Sequence, residues 1–588
     1  MKLFGRTPNS LFGAFCLLFA AANAAAIQTC RYPTLVCLQN FGYNNGYLAG
    51  YAEAYRGSWR SRTLEVYYQY AGREWTFRAN YVSDNRDGYD TYSFGSSIYP
   101  ASQFYLKYTV DRAVYWYGPY NLNNGGVITR TPTADRSEAT AAPKAKVAQR
   151  SAFESWLSKQ YEISEAALKR NIGSSSNTLI PKGVVVASPS TSEPDYYFQW
   201  IRDASCVMEH LVDNYLESGK DLEYILDWIK GQKKLQRVDN PSGGYTTGGL
   251  GEPKFHVDGT AYNDPWGRPQ RDGPALRANT IMKFASRYLS TDASFVRSQL
   301  YDSAPQGQSQ TVIKADLDYV VSSWSQSSFD LWEEIQGQHY FTIIVSYRAM
   351  VEGEAFARKM GDHSAADLYK QTANNMLDTI RNFWSAEKGY IVETHGAHGR
   401  SGLDCGVLLG VLRAPYVFTP GSEQTLATTE AMLQAFQWLY PLNQRDNGLG
   451  FGIGRYPEDT YDGVSTSGRG NPWFICTATV AHTLFAAAAD FSAARSVSVT
   501  PTSLALFKRA YGDAKTGVYK SGSSDYDNIL AGFKRLGDNF LDVVKRHAFV
   551  NGSMSEQFDR ENGYNRGARD LTWSYEALLG AMRARMKL

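Results

Sequence analysis

Cysteine, histidine and charge imbalance are all scarce in this chain. Six cysteines and eight histidines are spread over 588 residues. No paired Cys-x-x-Cys or His-x-x-x-His spacing groups them, which argues against a zinc site of ordinary construction. The formal net charge is only +2 and no long basic run occurs. A nucleic-acid surface, which needs a cationic footprint, is therefore not expected. Beyond the extreme N-terminus no stretch reads as long and apolar enough for a membrane span. No repeat of 20–50 residues stands out either, which argues against a solenoid built from sequence copies.

What the chain has in abundance is aromatic side chains: 14% of residues, with 40 Tyr and 13 Trp. Such rings serve a large core or sheet edges, and they also serve as platforms for flat ligands such as sugars or bases. The length allows more than one domain. At the N-terminus, Lys2 and Arg6 precede an apolar run over residues 11–22, and small residues follow at Ala22-Asn23-Ala24 and Ala24-Ala25-Ala26. This is the pattern of a secretory signal removed near residue 26, so an exported, extracellular and soluble protein is expected. Cys16 leaves with it. Cys30, Cys37, Cys206, Cys405 and Cys476 remain, an odd number that implies at least one free thiol. Cys30 and Cys37 are near enough in sequence to bridge.

Three regions follow. Residues 27–127 read as a small all-β sandwich. Leu64, Val66, Tyr68 and Tyr70 alternate, as do Phe104, Leu106, Tyr108 and Val110, with turn-prone clusters between. Residues 128–150, rich in Ala, Thr and Pro, read as a linker. From residue 151 to 588 the apolar spacing becomes helical. Ile313, Leu317, Val320, Val321 and Trp324 share one face, as do Phe533, Leu536, Phe540 and Val544. About a dozen helices with almost no strand pattern predict an all-α toroid or solenoid. Gly173, Gly219 and Gly361 stand where helix C-caps are expected.

The loops between these helices carry the chemistry. Asp330-Leu331-Trp332-Glu333-Glu334 sets three carboxyls beside an indole. It reads either as an acidic helix start or as a carboxyl held protonated by an apolar neighbour. Asn551-Gly552-Ser553-Met554-Ser555-Glu556-Gln557 offers a carboxylate in a polar, wet loop, which would stay ionised. Its Asn551 also opens the one glycosylation sequon. Two such carboxyls are what glycosidic-bond hydrolysis needs. Tyr196-Tyr197-Phe198-Gln199-Trp200-Ile201-Arg202-Asp203 combines ring faces with donors and an acceptor suited to sugar hydroxyls. Trp266-Gly267-Arg268-Pro269-Gln270-Arg271-Asp272-Gly273, Arg455-Tyr456-Pro457-Glu458-Asp459 with Asn471-Pro472-Trp473, and Arg569-Asp570-Leu571-Thr572-Trp573-Ser574-Tyr575 repeat the theme.

These segments, together with residues 184–190 and Gly251-Glu252-Pro253-Lys254-Phe255, occur in the order found in fungal glucoamylases, and the chain resembles that group of glycoside hydrolase family 15. The resemblance implies an (α/α)6 barrel and an inverting exo-hydrolase. Such an enzyme releases β-D-glucose from non-reducing ends of starch and maltooligosaccharides, needs no metal or organic cofactor, and is expected to act as a monomer. It implies Glu333 as general acid and Glu556 as general base. Arg202, Asp203 and Arg455 would grip the terminal glucose. Tyr196, Trp200, Trp266, Trp473 and Trp573 would wall the pocket, while Trp332 and Glu334 would meet the sugar near the cleaved bond. Gln336, Phe198, Phe558 and an apparent insertion over residues 462–470 depart from the family pattern.

The N-terminal region is similar to the starch-binding carbohydrate-binding module family 21, through Phe104-Tyr105-Leu106-Lys107-Tyr108 and Val114-Tyr115-Trp116. That likeness implies Trp75, Tyr115 and Trp116 as binding platforms. Two rival expectations stand beside the main one: another α-glycosidase on the same barrel, and a starch binder without catalysis.

Overall fold

The computed structural model describes residues 36–44, 47–55, 62–70, 73–84, 89–97, 103–110, 113–121, 143–396, 399–445 and 450–588. The expected signal, Cys30 and most of the expected linker lie outside the described residues.

Two compact units divide the chain near Pro143. The first is built from strands β1 (Val36–Asn44), β2 (Tyr47–Tyr55), β3 (Arg62–Tyr70), β4 (Arg73–Arg78), β5 (Asn80–Asp84), β6 (Tyr89–Ser97), β7 (Gln103–Val110) and β8 (Ala113–Asn121). They form two four-stranded antiparallel sheets, in the orders β1-β2-β6-β5 and β4-β3-β7-β8. Leu64, Val66 and Tyr68 are buried at every second position of β3, and Val66 pairs with the buried Leu106 of β7. That is the period of two read from the sequence. Trp75 lies on β4 opposite Tyr68, and Tyr115 and Trp116 lie on β8 opposite Tyr108 and Lys107. Their side chains lie outside the described part.

The second unit is helical. Its main helices are α1 (Pro143–Arg170), α2 (Ile201–Ser218), α3 (Leu222–Leu235), α4 (Asp272–Tyr288), α5 (Val312–Ser323), α6 (Tyr340–Met360), α7 (His363–Arg381), α8 (Cys405–Arg413), α9 (Glu423–Gln437), α10 (Phe474–Ala494), α11 (Ser524–His547) and α12 (Thr572–Met586). The even-numbered helices pack in sequence, α2 on α4, then α6, α8, α10 and α12, and α12 returns to α2. This closes an inner ring, and odd-numbered helices pack on it from outside, as α5 does on α4, α7 on α6 and α11 on α10. The architecture is thus a helical toroid.

Ring position explains the sequence patterns. An inner helix has neighbours on all sides, so it is apolar or paired all round. In α10 even Thr477, Thr479 and Thr483 are buried, and the hydroxyls of Thr477 and Thr483 donate to the backbone carbonyls four residues earlier, those of Trp473 and Thr479. By length and composition α10 could cross a membrane, against the expectation that no such stretch exists beyond the N-terminus, but 78% of its apolar window is buried inside this unit. Outer helices such as α11 show one stripe, with Phe533, Leu536, Phe540 and Val544 buried. Gly219 and Gly361 close α2 and α6 in the left-handed region, at φ 75° and 85°. Gly173 does not cap a helix. It lies past the end of α1, where a Cβ would stand 1.9 Å from the Pro181 carbonyl oxygen. Helix α1 starts at Pro143, inside the stretch read as linker. Cys206, Cys405 and Cys476 are buried free thiols.

Candidate active site

The N-termini of the inner helices converge on one cavity. Trp200 stands at the N-cap of α2, Trp473 at that of α10 and Leu571 at that of α12, and all three line it. Gly267 and Trp266 come from the loop entering α4, and residues 331–334 from the loop before α6. Asp404, N-cap of α8, accepts from the Gly406 backbone N–H and at 2.9 Å from the Trp332 indole N–H. One carboxylate therefore both starts a helix and fixes a wall residue. Short antiparallel ladders hold the loops: Gln199–Trp200 with Lys254–Phe255, Ser328–Phe329 with Gln336–Gly337, and Gln557–Phe558 with Asn565–Arg566.

The cavity measures about 270 Å³. It brings together Glu333, Glu556, Tyr196, Trp200, Arg202, Asp203, Trp266, Trp332, Glu334, Arg455, Trp473 and Trp573, the whole set singled out from sequence in the helical region. Segments more than 350 residues apart meet there, because the ring closes the chain on itself.

Residues 330–334 form a tight turn rather than a helix start. Asp330 is its anchor, accepting from the Glu334 and Ile335 N–H groups at 2.7 and 2.9 Å. Glu333 adopts φ 69°, a left-handed conformation that a non-glycine residue keeps only when its surroundings hold it. Its Oε1 accepts from Trp200 Nε1 at 2.7 Å and Gln270 Nε2 at 2.9 Å. Oε2 takes no such bond from a described residue, so one oxygen is fixed and the other is presented to the cavity. Glu334 meets different company. Arg455 and Arg400 donate to it at 2.7 and 2.6 Å, and so does the Tyr456 hydroxyl. Burial alone would raise its pKa, but these donors hold it below the ordinary carboxylate range.

Glu556 corrects the sequence reading. It is 1% exposed, not wet. Burial pushes it up to about 8, against the Tyr196 hydroxyl, Arg455 and the Tyr461 hydroxyl, which favour the ionised form. Gly567, at φ 73°, comes so near that a Cβ there would lie 2.4 Å from Glu556 Oε2.

Arg202 and Arg455 are held by carboxylates behind them. Arg202 donates to Asp272 at 3.2 Å and to Gln270 at 2.7 Å, and Arg455 makes a bidentate pair with Asp459 at 2.7 and 2.8 Å. Asp203 is raised by burial to about 6, opposed by Arg202. Several buried polar atoms of the lining make no hydrogen bond to a described residue: the indole N–H groups of Trp266, Trp473 and Trp573, and Arg202 Nε and Asp203 Oδ2, which face each other as an ion pair at 3.5 Å. Indole donors are thus left free among ring faces, beside a charged pair. The rings run in sequence: Tyr196 on Trp200 (5.4 Å between centroids), Trp200 on Trp266 (6.1 Å), Trp332 on Trp473 (5.6 Å) and Trp473 on Tyr461 (6.2 Å). This pattern suits a polyhydroxyl ring with apolar faces.

Sequence reasoning missed Gln270, which joins Arg202 to Glu333, and Tyr461 and Thr466, which line the cavity. Gln270 and Tyr461 sat inside or beside quoted clusters, but nothing in composition gives a lone Gln or Tyr that role. Among the described residues no group of three or more His, Cys, Asp or Glu is arranged to hold a metal ion.

A closed helical ring with two distant glutamates in one aromatic-walled cavity defines the class of carbohydrate-cleaving toroids. The comparisons narrow it. The family model described as "Glycosyl hydrolases family 15" matches residues 162–583. Glucoamylase 1 of Rhizopus oryzae is 34% identical, with 97% of this chain and 96% of that protein covered. Glucoamylase-1 of Schizophyllum commune is 38% identical, covering 74% of this chain and 75% of that one. Among solved structures, the glucoamylase from Saccharomycopsis fibuligera superposes with a TM-score of 0.69 at 33% identity, covering 74% of this chain and 96% of that one. The chain belongs to glycoside hydrolase family 15.

Proposed function

We infer that this chain is a glucoamylase: an exo-acting, inverting glucan 1,4-α-glucosidase that releases β-D-glucose from the non-reducing ends of starch and maltooligosaccharides. One observation carries the reading. Glu333 and Glu556 line a single small cavity together with buried indole N–H groups that make no hydrogen bond to a described residue, the Arg202–Asp203 ion pair and a run of tilted aromatic rings.

In the reaction, Arg202, Asp203 and Arg455 hold the terminal glucose by its hydroxyls. Glu333 gives its proton to the glycosidic oxygen as the bond from anomeric carbon to oxygen breaks. Water attacks from the other face, and its proton passes to Glu556. Glu333 ends as carboxylate and Glu556 as acid, so charge balances, and exchange with solvent restores both. Burial makes Glu556 a strong acceptor for that proton.

The two sheets of the N-terminal unit are read as a starch-binding sandwich with Trp75, Tyr115 and Trp116 as platforms. The Rhizopus oryzae relative, aligned over 97% of this chain, supports a shared two-part organisation. Export to the extracellular medium and action as a monomer complete the reading.

The test is the anomer first released from maltotriose, followed by NMR. β-Glucose is expected, and initial α-glucose sinks single displacement. Glu556→Gln is expected to lose about 10²–10⁴-fold in kcat while still binding maltotriose. A near-normal rate removes Glu556 from the role of base.

A further inference from the structure

Lys254 has no part in the scheme above. It lies in the strand pair behind Trp200 and is 2% exposed. Its Nζ stands 3.8 Å from the ring centroid of Trp266, 4.0 Å from Tyr262, 4.1 Å from Phe198 and 4.7 Å from Trp200. Among the described residues no hydrogen bond or ion pair engages this ammonium. A buried cation without an acceptor is costly, and a methionine would fill the same space without that cost. Burial lowers its pKa to about 8, against the opposing field of Glu333 and, more weakly, of Asp195 and Asp264, with Arg268 adding to the lowering. The cage is itself connected: Phe198 packs edge-on to Tyr262, and Tyr262 edge-on to Trp266. Two of its four rings, Trp200 and Trp266, are cavity wall, and Trp200 donates to Glu333 Oε1 at 2.7 Å.

We propose that Lys254 is a positioning residue for the acid step: its ammonium clamps the Phe198–Trp200–Tyr262–Trp266 cage and sets a positive charge beside Glu333. This rests on Glu333 as the proton donor. The clamp fixes the indole that orients Glu333, and cation–π attraction is strongest where the cation is desolvated, as here. The charge also favours the carboxylate that Glu333 becomes when its proton moves to the leaving oxygen.

The experiment compares the full chain with Lys254→Met and Lys254→Arg on two substrates. Maltose has a poor leaving group that needs the proton, and 4-nitrophenyl α-glucoside has one that scarcely does. Lys254→Met is expected to lower kcat on maltose about 10- to 100-fold, with KM changed less than about threefold, and to lose under about threefold on the aryl glucoside. The alkaline limb of its kcat/KM profile should move to higher pH, because the acid gives up its proton less readily. Lys254→Arg should restore most of the rate. Equal loss on both substrates, or a lowered melting temperature with kcat and the limb unmoved, overturns the proposal. Should Lys254→Met not fold, Tyr262→Leu thins the cage from its partly exposed side and must show the same leaving-group bias at smaller size. Glu333→Gln is the control. If it lacks that bias, Glu333 is not the acid; if it shows the bias and Lys254→Met does not, only the role of Lys254 fails.

Discussion

Glu334, half-buried, and Glu556, fully buried, are carboxyls with opposite fates. Glu334 faces two guanidiniums and is held ionised; Glu556 relies on tyrosine hydroxyls and a single arginine field, and burial wins. In the proposed scheme Glu334 is thus the anion of the binding site and Glu556 the proton acceptor. A pH prediction follows for Tyr461. Its hydroxyl stabilises ionised Glu556, so Tyr461→Phe raises the pKa of the base. Because the base must lose its proton to act, the acid limb of kcat/KM should shift to higher pH, and the rate below that limb should fall several-fold. A limb that stays put in a full pH–rate profile sinks this account. The sequence suggested which glutamates matter but not their environments. A Glu among Asn, Gly and Ser looks wet, yet Gly567 and the packed hydroxyls make its surroundings dry, and no local pattern reports that.

At the scale of elements, α8 is the helix that the sequence hid. Cys405-Gly406-Val407-Leu408-Leu409-Gly410-Val411 has two poor helix formers and is apolar all round, so it shows neither a stripe nor good propensity. The reason is the ring. At Gly410 a Cβ would stand 3.0 Å from Ile344 Cγ2 and 3.1 Å from the Tyr340 ring, and at Gly406 it would stand 2.8 Å from Leu331 Cδ2. Glycine lets α8 approach α6 and lets the acid-bearing turn rest on α8. Gly410→Val should therefore cost about 1–3 kcal/mol through overpacking, read as a lowered melting temperature in calorimetry. An unchanged transition would mean that α6 and α8 are looser than this contact implies. The outer helices α5 and α11 were legible because a buried stripe leaves its period in the sequence.

For the whole molecule, the chain divides into a strand-rich unit and a helical unit, and the cavity lies in the helical one. If the N-terminal unit binds starch, Trp116→Ala should reduce retention on starch granules several-fold, since an aromatic stacking contact carries about 0.5–1.5 kcal/mol. Its kcat/KM on maltose should stay within twofold of the unaltered chain. Equal loss on maltose would tie Trp116 to the catalytic unit's folding instead of to granule binding. The sequence by itself determined a strand pattern followed by a helical one and the aromatic and charged clusters that feed the cavity, because hydrophobic period and clustering are local properties; which of their residues meet in one site was implied by the family resemblance. Only the tertiary structure decided that the starts of α2, α10 and α12 face one hollow, that Glu556 is dry, that Gln270 and Tyr461 join the site and that Lys254 sits among four rings. Those facts depend on ring closure, which sets residues hundreds of positions apart against each other and alone fixes how much water reaches them.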